Sequence, residues 1–140
     1  MMLPKREVIY QKYGGRCAYC GCVLDKKNWH IDHLEPLRRG DGDQYKHRDV
    51  ITNMMPSCPS CNHYKSTWTI EEFRREIQLM PSRINKKNPT YKMAKRYGLI
   101  REEVNKVEFY FEYYNSCPPL VKAYINDTVL EHLKEHGARL

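Results

Sequence analysis

Two pairs of cysteines constrain the fold of this chain more than any other feature. Each pair has the spacing C-x2-C, Cys17 with Cys20 and Cys58 with Cys61. Four thiolates in two such pairs form the ligand set of a tetrahedral Zn²⁺ ion, which prefers soft sulfur ligands. The segment between the pairs, residues 21–57, is longer than the roughly 15–20 residues of a simple zinc ribbon. The sequence therefore predicts a structural zinc site from which a long segment, able to carry further function, is looped out.

The competing interpretation of the cysteines is a set of disulfides or of unrelated buried thiols. Disulfides persist in oxidising compartments, and residues 1–7 contain no apolar run of the kind found in a signal peptide. We therefore expect reduced cysteines in a cytoplasmic protein. Cys22 is an alternative ligand in place of Cys20, although it breaks the paired spacing, and Cys117 is expected to be a packing residue.

A second group of polar residues lies between the cysteine pairs and directly after them. Asp32 and His33 follow a segment with aromatic and β-branched residues that predicts a strand, while Asn53 and Asn62 flank the second pair. In the predicted hairpin, His33 is the side chain that titrates near neutral pH directly beside a carboxylate. Alternation along a strand places Asp32 and His33 on opposite faces. Only a bend at the strand end therefore lets both side chains serve one site.

Taken together, these motifs resemble the HNH nuclease family, whose fold is the ββα-metal (His-Me finger) fold. The resemblance is closest to the four-cysteine branch found in phage and bacterial genomes, and it covers about residues 5–80. It rests on Cys17-x2-Cys20, Asp32-His33-x2-Pro36 and Asn53-x2-Pro56-x-Cys58-x2-Cys61-Asn62-x2-Lys65. It implies an α+β protein with a small ββα-metal core and a four-cysteine zinc site, to which local sequence patterns add flanking helices and a C-terminal strand–helix extension.

The resemblance also implies an activity, the metal-dependent hydrolysis of DNA phosphodiester bonds. In that family pattern His33 takes the proton from the attacking water, and Asn53 fixes the loop that carries His33. Asp32 and Asn62 would bind the catalytic ion, with His63 as an alternative to Asn62. Carboxylate and amide oxygens suit hard Mg²⁺ or Mn²⁺ better than zinc. The expected products carry a 5′ phosphate and a 3′ hydroxyl.

Two residues near this motif have two interpretations each. Lys65 lies one helical turn beyond Asn62, and it either reaches a phosphate or is a solvated helix lysine. His30 shares a strand face with Asp32, and it either orients that carboxylate or packs beside Trp29.

The charge balance points to a polyanionic partner. The chain has a formal net charge of +7 and a pI of about 9.1, which favours nucleic acid before a membrane surface. Arg38 and Arg39, in a predicted loop of residues 34–48, either grip phosphates flanking the scissile bond or are solvated beside the compensating charges of Asp41, Asp43 and Asp49. No apolar run approaches the roughly 20 residues that span a bilayer. Double-stranded DNA is the expected partner; a homodimer and a phage terminase, in a bacterial host cell, are further expectations from the resemblance.

Three classes of function compete for this sequence. The first is a metal-dependent DNA nuclease, and the second is a nucleic-acid-binding zinc module without catalysis. The third is a zinc-containing adaptor for other proteins, which leaves the basic charge unused. The second class explains zinc and charge but gives no reason for Asp32, His33, Asn53 and Asn62 to occur together. The nuclease is therefore the preferred prediction.

Local patterns divide the chain into a nuclease core, residues 1–81, and an extension, residues 82–140. Core helices are predicted at about residues 5–13, 61–67 and 70–80, with strands at 29–33 and from residue 50. Gly14 and Gly15 are expected to end the first helix and Pro81 the third.

The extension begins with a polar basic linker, residues 82–90. A helix at 91–97, a strand at 107–114 with alternating side chains, and a helix at 120–136 stopped by Gly137 are predicted after it. This extension is expected either to pack on the core, to form a dimer contact or to touch DNA.

Overall fold

A computed structural model describes residues 3–135, apart from the side chains of Asp41, Leu130 and residues 132–135. Within that range the chain forms two compact units: Ile70–Val107 is one, and the residues before and after it form the other. No helix in the described range is long and apolar enough to cross a membrane. The predicted end of the last helix at His136 and Gly137 lies outside the described residues.

The first unit is built on a two-stranded antiparallel sheet between the cysteine pairs. Strand β1 is His30–His33 and strand β2 is Met54–Ser57. Their register places Asp32 opposite Met55 and His33 opposite Met54. The first cysteine knuckle lies beside β2, because Ala18 N–H donates to the carbonyl of Pro56 at 2.8 Å. Strand β2 begins at Met54 and not at the predicted residue 50, because Ile51–Asn53 forms a turn of 3₁₀ helix.

Helix α2, Pro59–Lys65, follows β2 and packs against β1. Cys58 is its N-cap residue, whose sulfur accepts from the backbone N–H of Cys61 at 3.4 Å. Pro59 occupies the first helical position, where its missing N–H costs nothing. The helix ends at Ser66, whose φ of 48° lies in the left-handed region. The predicted helix at 61–67 is thus confirmed as an element, displaced by two residues.

Helix α1, Lys5–Gln11, supplies apolar residues to the same unit. Ile9, Tyr10 and Tyr13 are buried. The chain then turns through Gly14 and Gly15, whose φ angles of 68° and 84° are strained for any residue with a Cβ. The glycines therefore end the helix as the sequence predicts.

Helices α5, Tyr110–Ser116, and α6, Pro119–Glu135, belong to this unit. The N–H groups of Tyr110 and Phe111 donate to the carbonyls of Tyr19 and Ala18 at 3.0 and 2.7 Å. The rings of Tyr19 and Phe109 meet edge to face at 5.8 Å. Residues 109–111 thus pack on the first cysteine knuckle, and the dimer and DNA roles of the extension stay predictions.

The predicted strand at residues 107–114 is wrong. Residues 107–109 have no regular structure, and α5 begins at Tyr110, with the Glu112 carboxylate accepting from the N–H of Phe109 at 3.0 Å. Aromatic residues at 109–111, 113 and 114 occupy apolar positions of both the strand period and the helix period. This capping contact and the two carbonyls of the knuckle favour the helix.

The second unit contains helices α3, Ile70–Lys87, and α4, Pro89–Arg96. Pro81 lies inside α3 and does not end it. The predicted linker at residues 82–90 is therefore wrong, since most of it is helical. Asn88 separates the two helices, and its side chain caps α4 by accepting from Tyr91 N–H at 3.1 Å. The division of the chain into domains at residue 82 stays a prediction.

Candidate metal centre and active site

The four cysteines of the two pairs converge on one point. Their sulfur atoms all lie within 4.8 Å of one another, and those of Cys20 and Cys58 are 3.9 Å apart. Tetrahedral coordination at a Zn–S distance of about 2.3 Å requires sulfurs about 3.8 Å apart. The geometry therefore fits a structural zinc ion held by all four thiolates.

Hydrogen bonds among the thiols distribute the protons unevenly over the cluster: the pKa values of Cys17 and Cys20 are lowered, whereas those of Cys58 and Cys61 are raised. The pKa of Cys17 lies far below its ordinary value, because the thiols of Cys20, Cys22 and Cys61 hydrogen-bond to its sulfur. A thiolate is the form that binds metal. Cys22 is exposed beside the cluster and is not one of the four mutually close residues. The spacing-based choice of Cys20 over Cys22 is thus supported by the geometry.

Asp32 lies at the buried face of β1 with two polar partners, both of which contact Oδ2. The Tyr19 hydroxyl donates to this oxygen, and Lys65 Nζ lies 3.1 Å from it. Burial, followed by the charge of Asp32, raises the pKa of Tyr19 far above its usual value. Tyr19 therefore stays protonated and remains a donor. Among the described contacts of Asp32, the other oxygen, Oδ1, has no partner.

Lys65 is fully buried, so the expectation of a solvated lysine is wrong, whereas a phosphate contact stays a prediction. Its side chain has no exposed surface, and its ammonium also donates to the carbonyl of His33 at 2.9 Å. The physical reason is that Lys65 lies on the face of α2 that meets β1. A buried ammonium requires a charged partner and hydrogen-bond acceptors. Asp32 and the end of β1 supply them.

His33 lies at the end of β1, where the chain leaves the strand. Asp32 and His33 line one open pocket of about 250 Å³, together with loop residues and the end of α2. The strand end therefore brings both side chains to one site, as the predicted function requires. His33 Nε2 lies 2.9 Å from Asp49 Oδ1, a partner that no sequence motif indicated.

Asn53 holds together the two segments that flank this pocket. Its Oδ1 accepts from Glu35 N–H at 2.9 Å, and its Nδ2 donates to the carbonyls of Glu35 at 2.9 Å and Arg48 at 2.8 Å. The N–H of Leu34 donates to the carbonyl of Asn53 at 2.9 Å. The amide thus bridges the segment after His33 and the segment before Asp49.

Replacing Asn53 with alanine is expected to lower the free energy of unfolding by about 1–3 kcal/mol, because three backbone groups lose their partner. Urea denaturation measures the change. Asn28→Ala is the matched control, since Asn28 is exposed and makes no described side-chain hydrogen bond. Equal unfolding midpoints for the two variants would contradict the bridging role.

The arginines differ in exposure but line the same pocket. Arg38 is half-buried, with a φ of 47°, and Arg39 is exposed. A left-handed backbone at a residue other than glycine is strained and clusters at functional sites. A phosphate contact by either residue stays a prediction.

The remaining predicted site residues lie elsewhere. Asn62 is half-buried on α2 and does not appear among the described residues that line the pocket. His63 is exposed and packs edge to face against Tyr64. His30 is exposed, and the described partners of Asp32 are Tyr19 and Lys65. The alternative that His30 is a packed residue is therefore wrong, and the orienting role toward Asp32 stays a prediction.

Sequence reasoning missed the contact of Tyr19 with Asp32, and it assigned Asp49 to the loop arginines and not to His33. Tyr19 lies within the first C-x2-C pair, and that motif predicts metal ligands but no partner for a tyrosine hydroxyl. The contact of Asp49 with His33 depends on the path of the loop between residues 34 and 48, which the sequence does not predict. Neither residue carries a spacing signal that points to its partner.

A two-stranded antiparallel sheet followed by a helix, with four clustered cysteines, is consistent with the ββα-metal core of HNH proteins. Residues 17–67 of this chain match the family model described as HNH endonuclease. The four-cysteine cluster supports a similarity to the zinc-containing branch of that family. No curated protein and no solved structure matches the chain significantly.

Proposed function

We propose that this protein is a metal-dependent endonuclease that hydrolyses phosphodiester bonds in double-stranded DNA. The observation that carries the proposal is the placement of Asp32 and His33 at one strand end, lining a single open pocket with Arg38 and Arg39. Hydrolysis of a phosphodiester needs a base for the attacking water and positive charge around the phosphate. These residue types supply both.

His33 is the general base in this proposal. Its side chain is 17% exposed, so the ring is held in place while one edge remains open to solvent. It accepts the proton of the attacking water, and the arginines beside it attract the phosphate. The product ends are a 5′ phosphate and a 3′ hydroxyl.

Asp32 gives this site one oxygen ligand of the kind that a hard divalent cation prefers. Asp32 retains an oxygen without a described partner and is partly open, with 11% of its side chain exposed. The amide oxygen of Asn62 or the ring of His63 is the proposed second ligand. Oxygen ligands favour Mg²⁺ or Mn²⁺. Such an ion supplies Lewis-acid stabilisation of the phosphate and of the leaving oxygen.

A second candidate function is a zinc-containing nucleic-acid-binding module without catalysis. The observation in its favour is the Lys65 ammonium against Asp32, since a resident cation beside this carboxylate disfavours another. Under this alternative His33 and Asn53 only stabilise the loop. The basic charge of the chain serves both candidates equally.

Cleavage of plasmid DNA by the parent protein, with Mg²⁺, with Mn²⁺ and with EDTA, tests the proposal. His33→Ala is expected to lower the cleavage rate by about 10²–10⁴-fold, because a general base contributes that much. Its unfolding midpoint should stay close to that of the parent. The matched control is His47→Ala, an exposed histidine of the following loop, which should cleave as the parent does.

Equal nicking by the parent and His33→Ala would remove His33 from the mechanism. A parent that binds DNA but cleaves none under any metal condition would favour the binding module. A single site cuts one strand at a time. Double-strand cleavage would therefore need a second copy of the chain, and its dependence on protein concentration tests the proposed homodimer. The proposed service to a phage terminase rests on the family resemblance alone.

A further inference from the structure

An acidic residue outside every recognised motif contacts the proposed general base. Asp49 follows His33 by 16 residues, and its Oδ1 lies 2.9 Å from His33 Nε2. The Asp49 side chain is 49% exposed, whereas that of His33 is 17% exposed. The ring is therefore the more buried partner, and the carboxylate approaches it from the loop.

Hydrogen bonds hold the loop that carries Asp49 on both sides of its contact with His33. The N–H of Asp49 donates to the Lys46 carbonyl at 3.0 Å, which closes a 3₁₀ turn. The guanidinium of Arg48 donates to the Pro36 carbonyl at 2.9 Å. The carbonyl of Arg48 in turn accepts from the Asn53 amide. These bonds define the position of the carboxylate relative to the end of β1.

We propose that Asp49 is a positioning residue for His33, accepting a hydrogen bond from Nε2–H and so directing Nδ1 toward the attacking water. This inference rests on the proposed nuclease function. A neutral imidazole has one donor nitrogen and one acceptor nitrogen. With Asp49 as acceptor at Nε2, the lone pair stays on Nδ1, where no described residue competes for it. Nδ1 takes the water proton, and the resulting imidazolium remains beside a carboxylate.

The electrostatics of Asp49 agree with that role. Its pKa lies below the ordinary value of an aspartate, first because of the hydrogen bond from His33 and then because of nearby positive charge. The side chain is therefore an anion at neutral pH, which is the form that accepts a hydrogen bond. A carboxylate bonded to a histidine nitrogen fixes both the tautomer and the ring orientation.

Steady-state cleavage by Asp49→Ala tests the inference, with Asp43→Ala as the matched control. Asp43 lies in the same loop and carries the same charge, and no described contact joins it to His33. Asp49→Ala is expected to lower kcat by about 10–100-fold at an unchanged KM for DNA. Asp49→Asn, which keeps an acceptor oxygen but not the charge, should fall between. Asp43→Ala should keep the parent kcat.

The alternative explanation is that the Asp49 carboxylate only repels DNA through its negative charge. In that case both aspartate variants would lower KM equally and leave kcat alone, which would overturn the inference. The double variant Asp49→Ala with His33→Ala should be no slower than His33→Ala by itself. An additive loss in the double variant would overturn it as well.

A readout without activity separates this inference from the nuclease proposal. Nitrogen-15 NMR of the His33 ring is expected to show the Nε2–H tautomer in the parent and in Asp43→Ala, and a mixed population in Asp49→Ala. A parent that cleaves only when His33 is present, with unchanged kcat and tautomer in Asp49→Ala, overturns the inference alone. A parent that cleaves no DNA overturns the nuclease proposal and the catalytic role of Asp49 with it.

Discussion

Loss of the zinc ion is expected to unfold the first unit of this protein. Its sheet has only two strands of four residues each, and a hairpin of this size is marginal in water without further support. Zinc binding contributes about 10–16 kcal/mol in small zinc-dependent folds. That is comparable to the about 5–15 kcal/mol of a whole domain. Treatment with EDTA, or replacement of Cys58 with serine, should therefore abolish the cooperative thermal transition.

Cys22→Ser is the matched control for the loss of a zinc ligand. Cys22 is an exposed cysteine next to the cluster but outside its four mutually close members. This variant should bind one zinc per chain, measured by elemental analysis, and melt close to the parent. A normal zinc content in Cys58→Ser together with a depleted one in Cys22→Ser would reverse the ligand assignment. A parent that melts unchanged in EDTA would remove the structural role of zinc.

Replacing Lys65 with methionine is expected to lower the free energy of unfolding by about 3–5 kcal/mol, because the Asp32 carboxylate stays buried without its partner. Methionine has a similar length, so the change removes the charge and leaves most of the packing. The carbonyl of His33 also loses its 2.9 Å donor. Urea denaturation of the zinc-loaded protein measures the effect.

The control for Lys65→Met is Lys27→Met, an exposed lysine in the same unit, which should change the free energy of unfolding by less than about 0.5 kcal/mol. Asp32→Asn added to Lys65→Met should recover part of the loss, since contacting residues are not additive. The pair would be shown to be unimportant if Lys65→Met and Lys27→Met unfolded at the same urea concentration.

The short-range features of the core follow from the sequence, because they depend on chemistry between near neighbours. The cysteine spacing predicts the four-sulfur cluster, and a helix after the second cysteine pair is predicted as an element. The two glycines after α1 predict the turn. At Pro81 and in the aromatic run of residues 107–114, local rules give the wrong element, because long-range contacts outweigh a modest local preference.

The sequence by itself therefore determined the metal-binding scaffold of this protein and the pairing of Asp32 with His33 on a hairpin. Ligand type and spacing are enough for that, since a C-x2-C pair can close on a metal wherever it lies. Only the tertiary structure decided which groups surround the reactive side chains: Tyr19 and Lys65 at Asp32, and Asp49 at His33. Those contacts depend on which face of α2 packs against β1 and on where the long loop brings Asp49 back to the end of β1. The residues next to the site in the sequence predict neither.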